Sequence, residues 1–224
     1  MPDAVQQETG GESLTERAYR ALEEEIVTLQ IAPGTVVSEA LLSQRLGLGR
    51  TPVREALQRL ARERLVQILP RRGIVVSEIE VASQLRLIEV RRELERLLAR
   101  SAARHASDAD RQKFRRIAEG MEKAAEENDD LAFMRLDRAF NLKMLEAAGN
   151  EFAAAAMGLM NGLSRRFWYY HYKQVADLPL AARLHAEVAR RVAEGEPEAA
   201  AHASDALLDY IQDVTRRTVT GSGP

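Results

Sequence analysis

The sequence predicts a mainly α-helical protein in two parts: an N-terminal unit of three helices and a small β-hairpin, and a C-terminal all-α bundle of six or seven helices. Three observations lead there. Apolar residues recur at helical spacing along most of the chain. Short β-branched runs, Leu65-Val66-Gln67-Ile68 and Ile74-Val75-Val76, bracket a basic turn at Pro70-Arg71-Arg72-Gly73. Beyond Ser77 the glycine and proline punctuation thins and amphipathic patterns continue to the end.

Residues 1–12 are polar, carry the pair Gly10-Gly11 and show no apolar period, so they are expected to be a disordered tail, as are 219–224. Ser13-Leu14-Thr15-Glu16 has the form of a capping box, followed by Leu14, Ala18, Leu22, Ile26 and Leu29 at helical spacing, which gives a first helix stopped by Pro33-Gly34. Ser38 caps a short second helix through Leu46, closed by Gly47. A third helix runs from about Arg50 to Arg64, with Pro52 in its first turn and Val53, Ala56, Leu57, Leu60 and Ala61 inward. Two helices around so short a turn make a helix-turn-helix, and the hairpin after it reads as a wing, so 13–76 is a winged helix-turn-helix. Breaks near Ser107, Asn128, Gly149-Asn150, Asp177-Pro179 and Gly195-Pro197 divide the remaining domain, 77–218.

Charge distribution says more about function than its sum. The 224 residues carry a net charge of -2, yet from Ser38 to Val76 eight arginines face three glutamates, a local excess of +5. There is no cysteine, which excludes disulfides, thiolate zinc sites and cysteine nucleophiles. No export signal or run of membrane-spanning length is seen, so a cytoplasmic protein without a membrane partner is expected.

A recognition helix presents its N-terminal side chains to base edges in the major groove, and Arg50, Thr51 and Arg54 occupy that end. Arginine suits guanine because two parallel hydrogen bonds fix it, worth about 1–3 kcal/mol of discrimination. Arg45, and Arg71, Arg72 and Gly73 at the wing tip, are better placed for phosphate or minor-groove contact. The predicted partner is double-stranded operator DNA, read by a homodimer whose two helices enter the halves of a near-palindromic site.

The segment Arg50-Thr51-Pro52-Val53-Arg54-Glu55-Ala56-Leu57-Gln58-Arg59-Leu60 resembles the recognition helix of the GntR family of transcription regulators. The likeness extends from Ile31-Ala32-Pro33-Gly34 through Leu42-Ser43-Gln44-Arg45-Leu46-Gly47 to Pro70-Arg71-Arg72-Gly73. Two positions depart from the pattern: Gly49 stands where a serine or threonine caps the helix, and Arg64 where glycine is usual. The rest resembles the FadR subfamily, whose helical FCD-type domain binds a ligand and commonly a divalent metal held by one aspartate and three histidines. The resemblance makes Arg91 a pocket arginine, Asp137 the metal aspartate and His185 one metal histidine, while Asn141 and Leu207 stand where the other two histidines belong.

Asparagine offers a neutral carbonyl and leucine nothing, so no bound cofactor is expected; if zinc, nickel or manganese does bind, Asp137 and His185 are its candidates. His202, five residues from Leu207, is about 140° away around a helix and does not replace it. Asp137 and Asn141 share a helix face, so with Arg91 and His185 they form a candidate pocket for a small carboxylate effector. An equal alternative is that Asp137 pairs with a neighbouring arginine and His185 is structural. In the aromatic segment Arg165–Tyr172, Phe167, Tyr170 and the preceding Leu163 are expected inward, as core or dimer interface. His105 is expected on the surface.

The functional reading is therefore an effector-controlled DNA-binding regulator, and a repressor by analogy with the family. An effector-blind DNA binder is the alternative. A hydrolase using Asp137, His185 and a metal is disfavoured, for neither a complete ligand set nor a nucleophile with a paired base is found.

Overall fold

A computed structural model describes residues 12–70 and 72–220. Of the expected tails 1–12 and 219–224, residues 1–11 and 221–224 lie outside the described residues, as does Arg71 of the wing, while 219–220 belong to the last helix, which runs on to Thr220. The chain divides into two compact units between Glu78 and Ile79.

In the first unit, α1 (Leu14–Val27) begins where Ser13 Oγ accepts the Glu16 amide. It ends earlier than its apolar spacing suggests: Leu29 adopts φ 61, and the amides of Thr28 and Ile31 bond back to Glu24 and Glu25. After β1 (Val36–Val37) come α2 (Glu39–Leu46), α3 (Arg50–Arg62), β2 (Val66–Leu69) and β3 (Gly73–Val76). The expected two-stranded hairpin is a three-stranded antiparallel sheet of order β1-β3-β2, with Val36 opposite Val75 and Val66 opposite Val76. A two-residue strand leaves no readable alternation, which is why β1 escapes a sequence reading. Ala18, Leu22 and Ile26 of α1 and Val53, Ala56, Leu57 and Leu60 of α3 are buried, with Ala61 only half-buried. Tyr19 of α1 is tied to α3's end: its hydroxyl donates to Glu63 Oε2 (2.9 Å) and the Arg59 guanidinium lies 3.5 Å over its ring.

The second unit has seven helices among the described residues: α4 (Val81–His105), α5 (Asp108–Glu127), α6 (Asp130–Ala148), α7 (Glu151–Gly158), α8 (Asn161–Val175), α9 (Leu178–Glu194) and α10 (Pro197–Thr220). Asp129, Asn150 and Asp177 cap their helices through side-chain oxygens, and Ser107 forms a reciprocal capping box with Asp110. The break at Leu159-Met160 has no counterpart in the sequence reading. α9 packs chiefly on α5, and α10 on α4. Buried alanines, among them Ala118 and Ala125 on α5 and Ala182, Ala186, Ala189 and Ala193 on α9, let the axes approach closely. Arg111 joins three helices: its guanidinium donates to the carbonyls of Ala103 and Ala106 and of Val192 and Ala193, the last-turn groups a helix leaves unsatisfied. No described helix is long and apolar enough to cross a membrane.

Candidate functional site

The helix-turn-helix is set by caps at both ends of the turn. Ser38 Oγ accepts the Leu41 amide, and Gly47 at φ 64 closes α2. Gly49 caps α3 without a side-chain bond, so α3 forms despite the missing hydroxyl. Arg45, Arg50, Thr51 and Arg54 are all exposed, with Arg50 and Arg54 one turn apart on one face. Arg54 is held side-on by Glu39 of α2: Nε donates to Oε1 (2.9 Å) and Oε2 (3.1 Å), and Nη2 to Oε2 (2.7 Å). That hydrogen bonding, with the nearby charges of Arg54 and Arg50, holds the Glu39 carboxyl below its ordinary range. Arg45 pairs with Glu25 of α1 at 3.2 Å. Arg64 takes φ 59, a left-handed backbone that accounts for glycine as the usual residue there. At the wing, Arg72 is exposed and Gly73 has φ 95; a Cβ there would sit 3.1 Å from the Val37 carbonyl.

In the second unit, Arg91 of α4, Asp137 and Asn141 of α6 and His185 of α9 line one pocket. With them stand Phe133 and Met134 of α6, Asn161, Ser164, Arg165 and Trp168 of α8, and Ile211 of α10. Asp137 is the hub. Its Oδ1 accepts from Asn141 Nδ2 (2.9 Å) and lies 3.3 Å from His185 Nε2, and its Oδ2 accepts from Arg165 Nε (2.9 Å). Burial alone would raise this carboxyl's pKa, but the hydrogen bond and charge of His185, with the charges of Arg165 and Arg91, hold it below its ordinary value. His185 Nδ1 faces the Ala181 carbonyl at 2.8 Å, one turn back, which fixes the ring with Nε2 toward Asp137. Phe133 and Phe140 meet the imidazole edge to face at 5.3 and 5.9 Å. Arg91 is buried and donates to Glu95 Oε1 and to Ser164 Oγ, which Gln84 also reaches.

The expected alternative, Asp137 paired with an arginine, is what the structure holds, but the sequence reading does not identify α8 as the helix that supplies it. Arg165 lies in the segment taken as core, and the one signal for it is the requirement that a buried Asp137 find a cation. The rotation of α8 also differs from expectation. Phe167 is buried as anticipated, but Tyr170 is 48% exposed and Leu163 half-buried; Ser164, Trp168 and Tyr172 turn inward instead. Trp168 accounts for this, stacking on Tyr172 (4.7 Å) and meeting Phe133 of α6 at a tilt of 54° (4.9 Å), contacts that outweigh simple spacing.

The metal that the family resemblance implies does not fit these residues. Leu207 is buried beside Asn141 and Val188 and offers no donor, while His202 is exposed. Among the described residues no group of three or more histidine, cysteine, aspartate or glutamate side chains could hold an ion. The guanidinium on Asp137 Oδ2 places a fixed positive charge where a divalent cation would need a ligand. The free space is small, about 30 Å³, room for one or two waters.

Comparison with known proteins decides the family. Residues 86–210 match the FCD domain, and residues 14–76 match the bacterial regulatory proteins of the gntR family. The chain belongs to the gntR family, in the branch that carries an FCD domain. It is thus a transcriptional regulator with a DNA-binding N-terminal unit, not an enzyme. It is 27% identical over 204 residues to the HTH-type transcriptional repressor RspR of Escherichia coli, covering 91% of this chain and 90% of that one. It is also 27% identical to a probable D-xylose utilization operon transcriptional repressor of Paenarthrobacter nicotinovorans, covering 85% of each. Among solved structures, E. coli McbR/YncC superposes with a TM-score of 0.79 at 19% identity, over 93% of this chain and 100% of that one, a likeness of fold.

Proposed function

We propose that this gntR-family regulator is a homodimeric repressor whose affinity for operator DNA is controlled by a small carboxylate bound in its FCD domain without a metal. Arg50, Thr51 and Arg54 read bases, and Arg45, Arg71, Arg72 and Gly73 hold the backbone or minor groove. That repressors are among the relatives similar over most of the chain supports the sign of regulation. The effector meets Arg91, Asn141 and His185 directly, with Asp137 as the anchor that orients them.

One observation carries the sensor reading. Two arginines, Arg91 and Arg165, line a buried pocket with Asp137, and His185 faces the same carboxylate. Its lining holds two guanidinium groups against the one carboxylate of Asp137, an excess that a single carboxylate ligand neutralises in a water-poor site where that attraction is strong. The pocket must open to admit it, since about 30 Å³ holds no organic acid. That opening is the coupling: a ligand that favours an open arrangement shifts the balance between DNA-competent and incompetent dimers.

The small cavity also favours the second reading, an effector-blind DNA binder. Thermal unfolding in chelator-treated buffer, with a panel of small mono- and dicarboxylates, separates the two. A sensor gains stability from at least one acid in proportion to the logarithm of its concentration, and an effector-blind protein from none.

A further inference from the structure

The pairing of Arg54 with Glu39 uses the guanidinium in a particular way. A guanidinium has two faces that can each donate two parallel hydrogen bonds: the side formed by Nε and one terminal nitrogen, and the end formed by both terminal nitrogens. Glu39 takes the side face, with Nε at 2.9 and 3.1 Å from its two oxygens and Nη2 at 2.7 Å. Among the described residues Nη1 of Arg54 has no hydrogen-bond partner, and the side chain is 57% exposed. The end face stays open, and its two terminal nitrogens can meet the O6 and N7 acceptors of guanine. A carboxylate on the side and a base at the end are therefore compatible, and the first restricts the rotamers through which the second is sought.

We propose that Glu39 is a positioning residue for base recognition: it holds Arg54 with its terminal nitrogens aimed outward from α3, so that part of the sequence preference of this regulator resides on α2. The inference rests on the reading that Arg54 contacts a base. Its negative charge near the DNA backbone weakens binding to every sequence, while the ordered guanidinium loses less freedom when it meets its base. Glu39 is a determinant of specificity rather than of affinity, and its loss differs from the loss of a phosphate contact. The carboxyl sits below its ordinary pKa range, so the pair persists through the pH range of DNA-binding assays.

The test uses the full-length dimer and a randomised duplex pool, from which the preferred sequence is selected and sequenced for the wild type. The ratio of its dissociation constant to that of an unrelated duplex is then measured for wild type, Glu39→Gln, Glu39→Ala and Arg54→Ala, with circular dichroism to verify folding. The proposal expects both Glu39 variants to lose about tenfold in this ratio at the base pair where Arg54→Ala loses its preference, with affinity for the unrelated duplex equal or higher. The preferred base should become degenerate at that one position and no other. If the Glu39 variants keep the full ratio and simply bind all DNA more tightly, the carboxylate only competes with DNA and the proposal fails. If Arg54→Ala keeps the full ratio, the base-reading role of Arg54 fails, and the role of Glu39 falls with it. Glu39→Asp, whose shorter side chain cannot span the same distance unaided, should fall between wild type and Glu39→Ala.

Discussion

The Nε atom of Arg165 lies 2.9 Å from Oδ2 of Asp137, with both side chains enclosed, 9% and 8% exposed. The pair links α8 to α6 in the lining of the pocket. Removing one partner strands the other charge in a site with little water. Asp137→Ala is expected to cost about 3–5 kcal/mol in urea unfolding. The double variant Asp137→Ala with Arg165→Met should recover part of that loss, and additive losses would show that the pair is not coupled.

Acid should reveal the same carboxylate. Asp137's folded pKa is depressed, so its stabilisation is fully present above its ordinary value of 3.8 and is lost as pH falls from there through the folded value. The stability gap between wild type and Asp137→Asn is expected to stay level from pH 8 to about 5 and to close below the ordinary value. A gap that instead closes between pH 7 and 5 would place its source on a histidine.

Arg64 is a place where the sequence works against its own backbone. At φ 59 a side chain clashes with the following carbonyl, a cost of about 1–2 kcal/mol that glycine avoids. Arg64→Gly is expected to stabilise the N-terminal unit by about 1 kcal/mol after the entropy lost by glycine is allowed for. DNA affinity should fall only by the loss of one positive charge, seen as a smaller salt dependence.

Gly195 shows the opposite constraint. It closes α9 at φ 77, and a Cβ there would collide with Nη1 of Arg111, the guanidinium that caps α4 and α9. Gly195→Ala is expected to destabilise the C-terminal unit by at least about 1 kcal/mol, read from its thermal midpoint. Pairing it with Arg111→Ala should relieve the clash without restoring the caps, so the double variant stays below wild type.

Elements with strong local chemistry were legible in the sequence. Ser38 and Gly47 bound α2 by their own capping preferences, and the breaks at Asn128, Gly149 and Gly195 coincide with left-handed backbone. What depends on tertiary packing was not. β1 is fixed by the exchange of Val76 with Thr35 and Gly34, and nothing in Val36-Val37 alone requires it. The break between α7 and α8 has a cap, Met160, with no side-chain bond, so no residue type marks it. In the pocket, Asp137, Asn141, His185 and Arg91 could be placed by resemblance, whereas the arginine that partners Asp137 depends on how Trp168 rotates α8.

Control of operator binding by an anion held without a metal should show in the dissociation constant of the selected duplex, measured in chelator-treated buffer with and without a panel of small carboxylates, for wild type and Arg91→Met. At least one acid is expected to change the wild-type constant by fivefold or more, within the usual range of about 1–3 kcal/mol for coupling between sites, and to leave Arg91→Met unchanged. A response that appears only when zinc, nickel or manganese is restored, or that Arg91→Met retains in full, would contradict it.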